Sequence, residues 1–229
     1  MKKIVTYLIL VIFIIAGILF FLTRVPAVQD ALFQRLAQNL ISTAPNIFPE
    51  EDSLSALVCG SKSPLPHPTR AETCVMIKAG EETFIFDVGN RSIDNLRNWR
   101  VPLTQLNGIF ISHLHSDHIA ELPEIHMWNW VGTGRQSKLK VYGPEGINQI
   151  LNGFTEAYSL DWKYRNDHHG DQFAPLKAAG FDGYEITDFS EPVYESNGIV
   201  ITAFLVDHKP IDPSLAFKIE YKGRSIVLS

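Results

Sequence analysis

The sequence predicts an α/β layered domain standing behind a single membrane-spanning helix. Three observations lead there. Strand-like apolar runs mix with helical patterns from Leu54 onward. An uncharged apolar stretch, Ile4 to Leu22, precedes them. The segment His113-Leu114-His115-Ser116-Asp117-His118 packs three of the chain's eight histidines behind the apolar run Gly108-Ile109-Phe110-Ile111. The 229 residues are 45% hydrophobic and 20% charged, an ordinary globular composition. With a formal net charge of −5 and no Lys/Arg block, nothing favours nucleic-acid binding through phosphate contacts.

Ile4 to Leu22 is long enough to cross an apolar layer of about 30 Å at about 1.5 Å per residue. A cleaved signal peptide has a shorter apolar region and a small-x-small site, which Phe20-Phe21-Leu22-Thr23-Arg24 does not offer. An uncleaved anchor over residues 1–24 is therefore expected. Lys2 and Lys3 before the run, against Arg24 after it, keep the N-terminus cytoplasmic and the rest extracytoplasmic. Residues 25–53 follow as an amphipathic helix, Ala27 to Ser42, and a linker, Ala44 to Ser53. Val28, Leu32, Leu36 and Leu40, with Phe33 and Ile41 beside them, give that helix a face expected to pack on the domain.

The domain proper is expected over 54–229. Strands are predicted at Leu54 to Val58, Cys74 to Lys78, Thr83 to Phe86, Ile109 to Ser112 and Lys138 to Tyr142. Ser92 is expected to cap a helix reaching Trp99 and ended by Pro102. Ile119 to Val131 reads as helix, and the turn Gly143-Pro144-Glu145-Gly146 leads into another, reaching Leu160. Asp161 to Tyr184 reads as irregular. Pro192 to Glu195, Val200 to Val206, Leu215 to Tyr221 and Arg224 to Leu228 close the chain as strands. Cys59 and Cys74 suit either a disulfide closing the Pro-rich loop between them or two buried thiols.

In extended backbone His113 and His115 point the same way and can share one metal. Asp117 and His118 follow as the chain turns into a helix, and suit a second ion; Asp117 can also cap that helix. Imidazole with carboxylate favours Zn²⁺, with iron or manganese as alternatives.

His-x-His-x-Asp-His behind an apolar strand resembles the metallo-β-lactamase superfamily. Phe84-Ile85-Phe86-Asp87-Val88-Gly89 is similar to that family's strand-Asp-x-Gly turn, whose aspartate supports the metal site. Cys59-Gly60-Ser61-Lys62-Ser63-Pro64, with Arg70 after it, resembles the Gly-x-Gly-Ser-Pro opening of the ribonuclease Z and arylsulfatase-like branch. Here Ser61-Lys62 stands in place of the usual small-Gly pair. Val206-Asp207-His208-Lys209-Pro210 and the strand after it resemble the branch's later histidine. The resemblance covers about residues 54–229. It implies an αββα sandwich, of which this chain holds the N-terminal half and part of the second, and two Zn²⁺ per complete site.

His208 is then expected as the third histidine on the first metal. In the family the last strand runs into Gly-Asp-Thr, whose aspartate bridges the metals, and a final histidine comes later. The chain ends at Ser229 before either. It is accordingly expected to be the N-terminal portion of an enzyme, holding one zinc unless other residues, or a second subunit in a homodimer, complete the other site. Asp117 would also orient a metal-activated hydroxide, and Asp87 and Ser112 would fix imidazole orientation.

His168 and His169 are expected in a loop that is mostly plain surface, with contact to substrate as the alternative; Arg70 is expected in a structural role, with contact to an anionic substrate as the alternative. His67 reads as exposed loop and His126 as packing. The favoured function is hydrolysis of an ester-type bond, a sulfate ester or phosphodiester, in a small-molecule substrate. An oxygen-reducing di-iron role is disfavoured, since that branch has Glu where His115 stands. The alternative class is a membrane-tethered domain with one metal or none that binds a partner.

Overall fold

The computed structural model describes residues 2–42, 47–49, 52–101, 103 and 106–229. It divides into two compact units, 1–43 and 44–229. The first holds helix α1 (Lys2–Leu22) and helix α2 (Pro26–Ser42). Within α1, Ile4–Leu22 is long and apolar enough to cross a membrane. Half of the expected linker, 44–46 and 50–51, lies outside the described residues, as does Pro102.

The second unit is built on two sheets. Strands β1 (Leu54–Gly60), β2 (Cys74–Ala79), β3 (Glu82–Phe86), β4 (Leu106–Phe110), β5 (Leu139–Gly143) and β6 (Phe181–Glu185) lie side by side in chain order. The first three are antiparallel; β3 through β6 are parallel. Strands β7 (Tyr194–Ser196), β8 (Ile199–Leu205), β9 (Leu215–Tyr221) and β10 (Arg224–Leu228) form an antiparallel second sheet. Between β3 and β6 lie helices α3 (Ser92–Asn98), α4 (Ser116–Ile119), α5 (Leu122–Thr133) and α6 (Ile147–His169).

Strand β3 is buried at every residue, which a sheet covered on both faces requires. One face packs on the helices: Ile85, Ile109 and Val141 meet Ile93, Leu122 and Ile147. The other faces the second sheet: Phe84, Phe86 and Phe110 meet Ile201, Phe217 and Ile219. There Phe110 stacks on Phe86 at 5.0 Å and on Tyr142 at 4.6 Å, contacts worth about 0.5–1.5 kcal/mol each beyond burial. The result is an α/β/β layering, the predicted α/β class.

Several boundaries moved. The expected irregular segment after Leu160 continues as α6 to His169, then a 3-10 turn (Leu176–Ala178) and β6. Trp162, buried on the core, carries the helix past the point where surface polarity hid its period. The expected helix from Ile119 is two helices, broken at Ala120-Glu121. Ser92 does not cap α3. The carboxylate of Glu121 does, accepting the Ile93 N–H at 2.7 Å, while Ser92 is turned into the core. Cys59 and Cys74 form a disulfide, fully buried, across the ends of β1 and β2.

Candidate metal centre

Parallel pairing of β3 with β4 sets Phe86 beside Phe110, so the chain leaves both strands at one end of the sheet. That end is where ligands bind in open α/β sheets. The departing turn is held on all sides. The Asp87 N–H donates to Phe110 O (2.9 Å), that of Val88 to His118 O (2.8 Å) and that of Gly89 to Thr73 O (3.0 Å). These bonds keep Asp87 in the left-handed region at φ 57°, a conformation that costs of order 1 kcal/mol in a non-glycine residue. Gly89 is there because a Cβ would come within 2.1 Å of Asp117 O.

Held this way, the Asp87 carboxylate organises the segment that leaves β4. Oδ1 accepts the Ser112 N–H at 2.8 Å; Oδ2 accepts the Ser112 hydroxyl at 2.8 Å and meets His118 Nδ1 at 2.8 Å. Ser112 has spent its only hydroxyl proton on Asp87. Its lone pairs, 3.1 Å from His113 Nδ1, therefore accept that ring's N–H. Both imidazoles carry their proton on Nδ1, which leaves Nε2 free. His118 Nε2 lies 3.6 Å from Asp117 Oδ2.

Around His113 the rings of His118, His208 and His115 stand at centroid distances of 3.9, 4.9 and 5.0 Å. His208 arrives from the loop after β8, in the other sheet. Another bond ties the sheets here: the Leu215 N–H at the start of β9 donates to Ser112 O at 2.9 Å. His113, His115, Asp117, His118 and His208 all line one cleft of about 380 Å³. A neighbouring cavity of about 680 Å³ shares three of them and adds Asp87, Ser112 and apolar walls such as Phe217.

Burial, then the charges of His118, His208 and His115, push His113 down to about 4, so it is neutral at physiological pH. Burial pulls His118 the same way. The Asp87 hydrogen bond and the charges of Asp87, Asp117 and Glu72 outweigh it, and His118 ends above its ordinary value.

Among the described residues, no three His, Cys, Asp or Glu donors converge tightly enough to hold an ion as they stand. The donor set fits a divalent metal in kind, with imidazoles whose Nδ1 is engaged from behind and a carboxylate facing them.

Other expected site residues fall elsewhere. Asp117 makes no cap; it sits buried inside the first turn of α4, whose N-cap position is His115. Arg70 is exposed, its Nε donating to His67 Nε2 at 3.2 Å. His168 and His169 end α6 rather than a loop, their rings 4.5 Å apart. None of these three lines the cleft. Lys62, read in the sequence only as a departure from a motif, does line it. Its signal was that departure: a long cation where a small residue is usual.

A sequence profile of the family described as "Anti-Pycsar protein Apyc1" matches residues 57–229. Ribonuclease Z of Mycobacterium marinum (strain ATCC BAA-535 / M) is 33% identical over 172 residues, covering 74% of this chain and 60% of that protein. Ribonuclease Z of Mycolicibacterium paratuberculosis is 31% identical over 178 residues, covering 77% and 62%. The chain thus spans about three fifths of the length of these relatives. Among solved structures, the short form of human tRNase Z aligns with a TM-score of 0.59 at 22% identity, covering 76% of this chain and 68% of that one. The metallo-β-lactamase fold protein YhfI from Bacillus subtilis aligns at 0.56 and 19%, covering 77% and 61%. Two sheets with helices on one face agree with both: the chain has the metallo-β-lactamase fold and belongs to the Anti-Pycsar protein Apyc1 family.

Proposed function

We propose that this protein is a metal-dependent hydrolase that cleaves a phosphodiester in a small-molecule substrate. The observation that carries it is the gathering of His113, His115, Asp117, His118 and His208 on one cleft. His113, His115 and His208 would hold one ion; Asp117 and His118 would begin a second site. Zn²⁺ is the favoured ion for this donor set, and when bound it supplies Lewis acidity and acidifies water.

The chain's own residues do the rest. Asp87 and Ser112 hold the Nδ1 protons of His118 and His113, which aims each Nε2 into the cleft. The Asp117 carboxylate, buried beside His118, would accept a hydrogen bond from the attacking water and orient it. Phosphodiester is favoured over sulfate ester because the relatives include ribonuclease Z, and a diphosphatase of the PhnP family shares the fold at a TM-score of 0.52. A small substrate is favoured over RNA because the net charge is −5 and Lys62 is the one Lys or Arg among the residues lining the cleft.

The N-terminal helix is read as a membrane anchor with the domain outside the cytoplasm. The charge bias of Lys2 and Lys3 supports this. So does the buried Cys59–Cys74 disulfide, which suits an oxidising compartment.

The test is metal content per chain together with turnover of bis(4-nitrophenyl) phosphate by the purified, detergent-solubilised chain. Bound zinc with turnover lost in His115→Ala is expected. Metal bound without turnover would favour the partner-binding alternative.

A further inference from the structure

Beside the five clustered donors, the cleft is walled by Ser61, Lys62, Ser63 and Pro64. Among the described residues lining this cleft or its neighbour, Lys62 is the one Lys or Arg. Carboxylates are plentiful there: Asp117 lines the cleft, Asp87 and Asp207 line the cavity beside it, and Glu72 is paired with Lys62. For an anionic substrate entering this field, Lys62 is the cation that the cleft's own side chains supply beside any bound metal.

The ammonium is held in advance. Lys62 Nζ donates to Glu72 Oε1 at 2.7 Å, with both side chains only about a tenth exposed. Glu72 is itself anchored without help from Lys62. Its Oε2 accepts the Asn90 N–H at 2.9 Å, and its own N–H donates to Asn90 O at 3.0 Å. Its backbone lies so near Gly60 that a Cβ there would come within 1.5 Å of Glu72 O. A Cβ on Gly89 would come within 2.4 Å of Glu72 Cβ. Glu72 is therefore a fixed post, and it fixes the position of the ammonium. An ammonium has three donors. One is spent on Glu72 and a second reaches Ser63 O only at 3.5 Å, the edge of hydrogen-bonding distance.

We propose that Lys62 is a substrate-binding, specificity-determining residue that receives the anionic phosphoryl oxygen of the substrate with a donor not used by Glu72. The proposal rests on the phosphodiesterase reading above. A preorganised point charge in a partly desolvated wall binds a phosphate oxygen without paying to order a long side chain.

Lys62→Met alone would leave Glu72 buried and unpaired, so the variant to make is Lys62→Met with Glu72→Gln, which removes the ammonium and leaves no orphaned charge. The zinc-loaded, detergent-solubilised full chain is compared with it in two measurements. Inorganic phosphate is the probe in thermal unfolding. Bis(4-nitrophenyl) phosphate is set against the uncharged 4-nitrophenyl acetate in turnover.

The expected result is phosphate affinity weaker by about tenfold in the double variant. KM for the anionic diester should rise by about tenfold, with kcat within about threefold and the neutral ester unaffected. Equal phosphate affinity in the two proteins, absent phosphate binding to the unmodified chain, or equal loss on both substrates would overturn the proposal. A Lys62-dependent phosphate shift in a chain that turns over neither substrate would sink the hydrolase reading and leave the anion site standing.

Discussion

Two buried histidines in this domain are pushed down to the same acidity and are fitted for different work. His113 and His126 both fall to about 4, and burial is the largest cause for each. His126 sits on α5 among Trp130, Trp162 and Phe181, with ring centroids at 5.6, 4.7 and 5.1 Å. Its Nε2 is spent, accepting the Gly180 N–H at 2.8 Å. His113 is backed at Nδ1 by Ser112, and its Nε2 is free toward a cleft shared with three other histidines. Depressed acidity alone does not mark a site. What distinguishes the two is which nitrogen the fold consumes.

Removing each ring in turn separates the two histidines. His113→Ala should cut metal-dependent turnover by about a thousandfold or more and lower metal stoichiometry, if the metal is worth several kcal/mol to the reaction. His126→Gln should leave turnover within about threefold in folded protein. Metal analysis and kcat on the two variants decide it, and equal losses would erase the distinction.

His126 instead writes itself into stability. In the unfolded chain its ring takes a proton near its ordinary value of 6.5; folded, it resists down to about 4. Between those values the unfolded state holds more protons, so acidification favours unfolding. The contribution is fully present above about pH 6.5 and is lost as pH falls to about 4, to the extent of about 3 kcal/mol. Denaturant unfolding from pH 7 to 4 should show a steeper loss for the unmodified chain than for His126→Gln, which keeps an acceptor for Gly180 but does not titrate. Parallel curves would mean that His126 is not held neutral by its cage.

A milder lever is the group behind the rings. Asp87→Asn keeps the shape but weakens the pull on His118 Nδ1, and should cost about tenfold in metal affinity by competition titration. An unchanged affinity would remove Asp87 from the proposed site. The smallest effect is expected at Arg70, which the fold leaves exposed and bonded to His67. Arg70→Ala should change KM for an anionic diester by less than about twofold, while the Lys62 double variant changes it about tenfold.

The local pattern of this chain was readable where one signal dominated. Buried β strands announced themselves as apolar runs, as at Phe84-Ile85-Phe86 and Gly108-Ile109-Phe110. The histidine cluster stood out because four donors in six residues have few other uses. The reading failed where a partner far along the chain supplied the missing term. Nothing near α3 in sequence foretells that Glu121 caps it, and nothing in Asp161 to His169 shows that Trp162 is buried.

By itself, then, the sequence determined the α/β class, the apolar N-terminal helix and the donors between His113 and His118. Each depends on periodicity or spacing within a few residues. The resemblance named His208 in advance, and the packing of the second sheet shows how it reaches those donors, from the loop after β8; that Cys59 and Cys74 meet, and that Lys62 rather than Arg70 lines the cleft, was settled by tertiary packing alone. Those outcomes turn on which distant segments pack together. That is set by burying Phe86, Phe110 and Phe217 between two sheets, and no local window contains it.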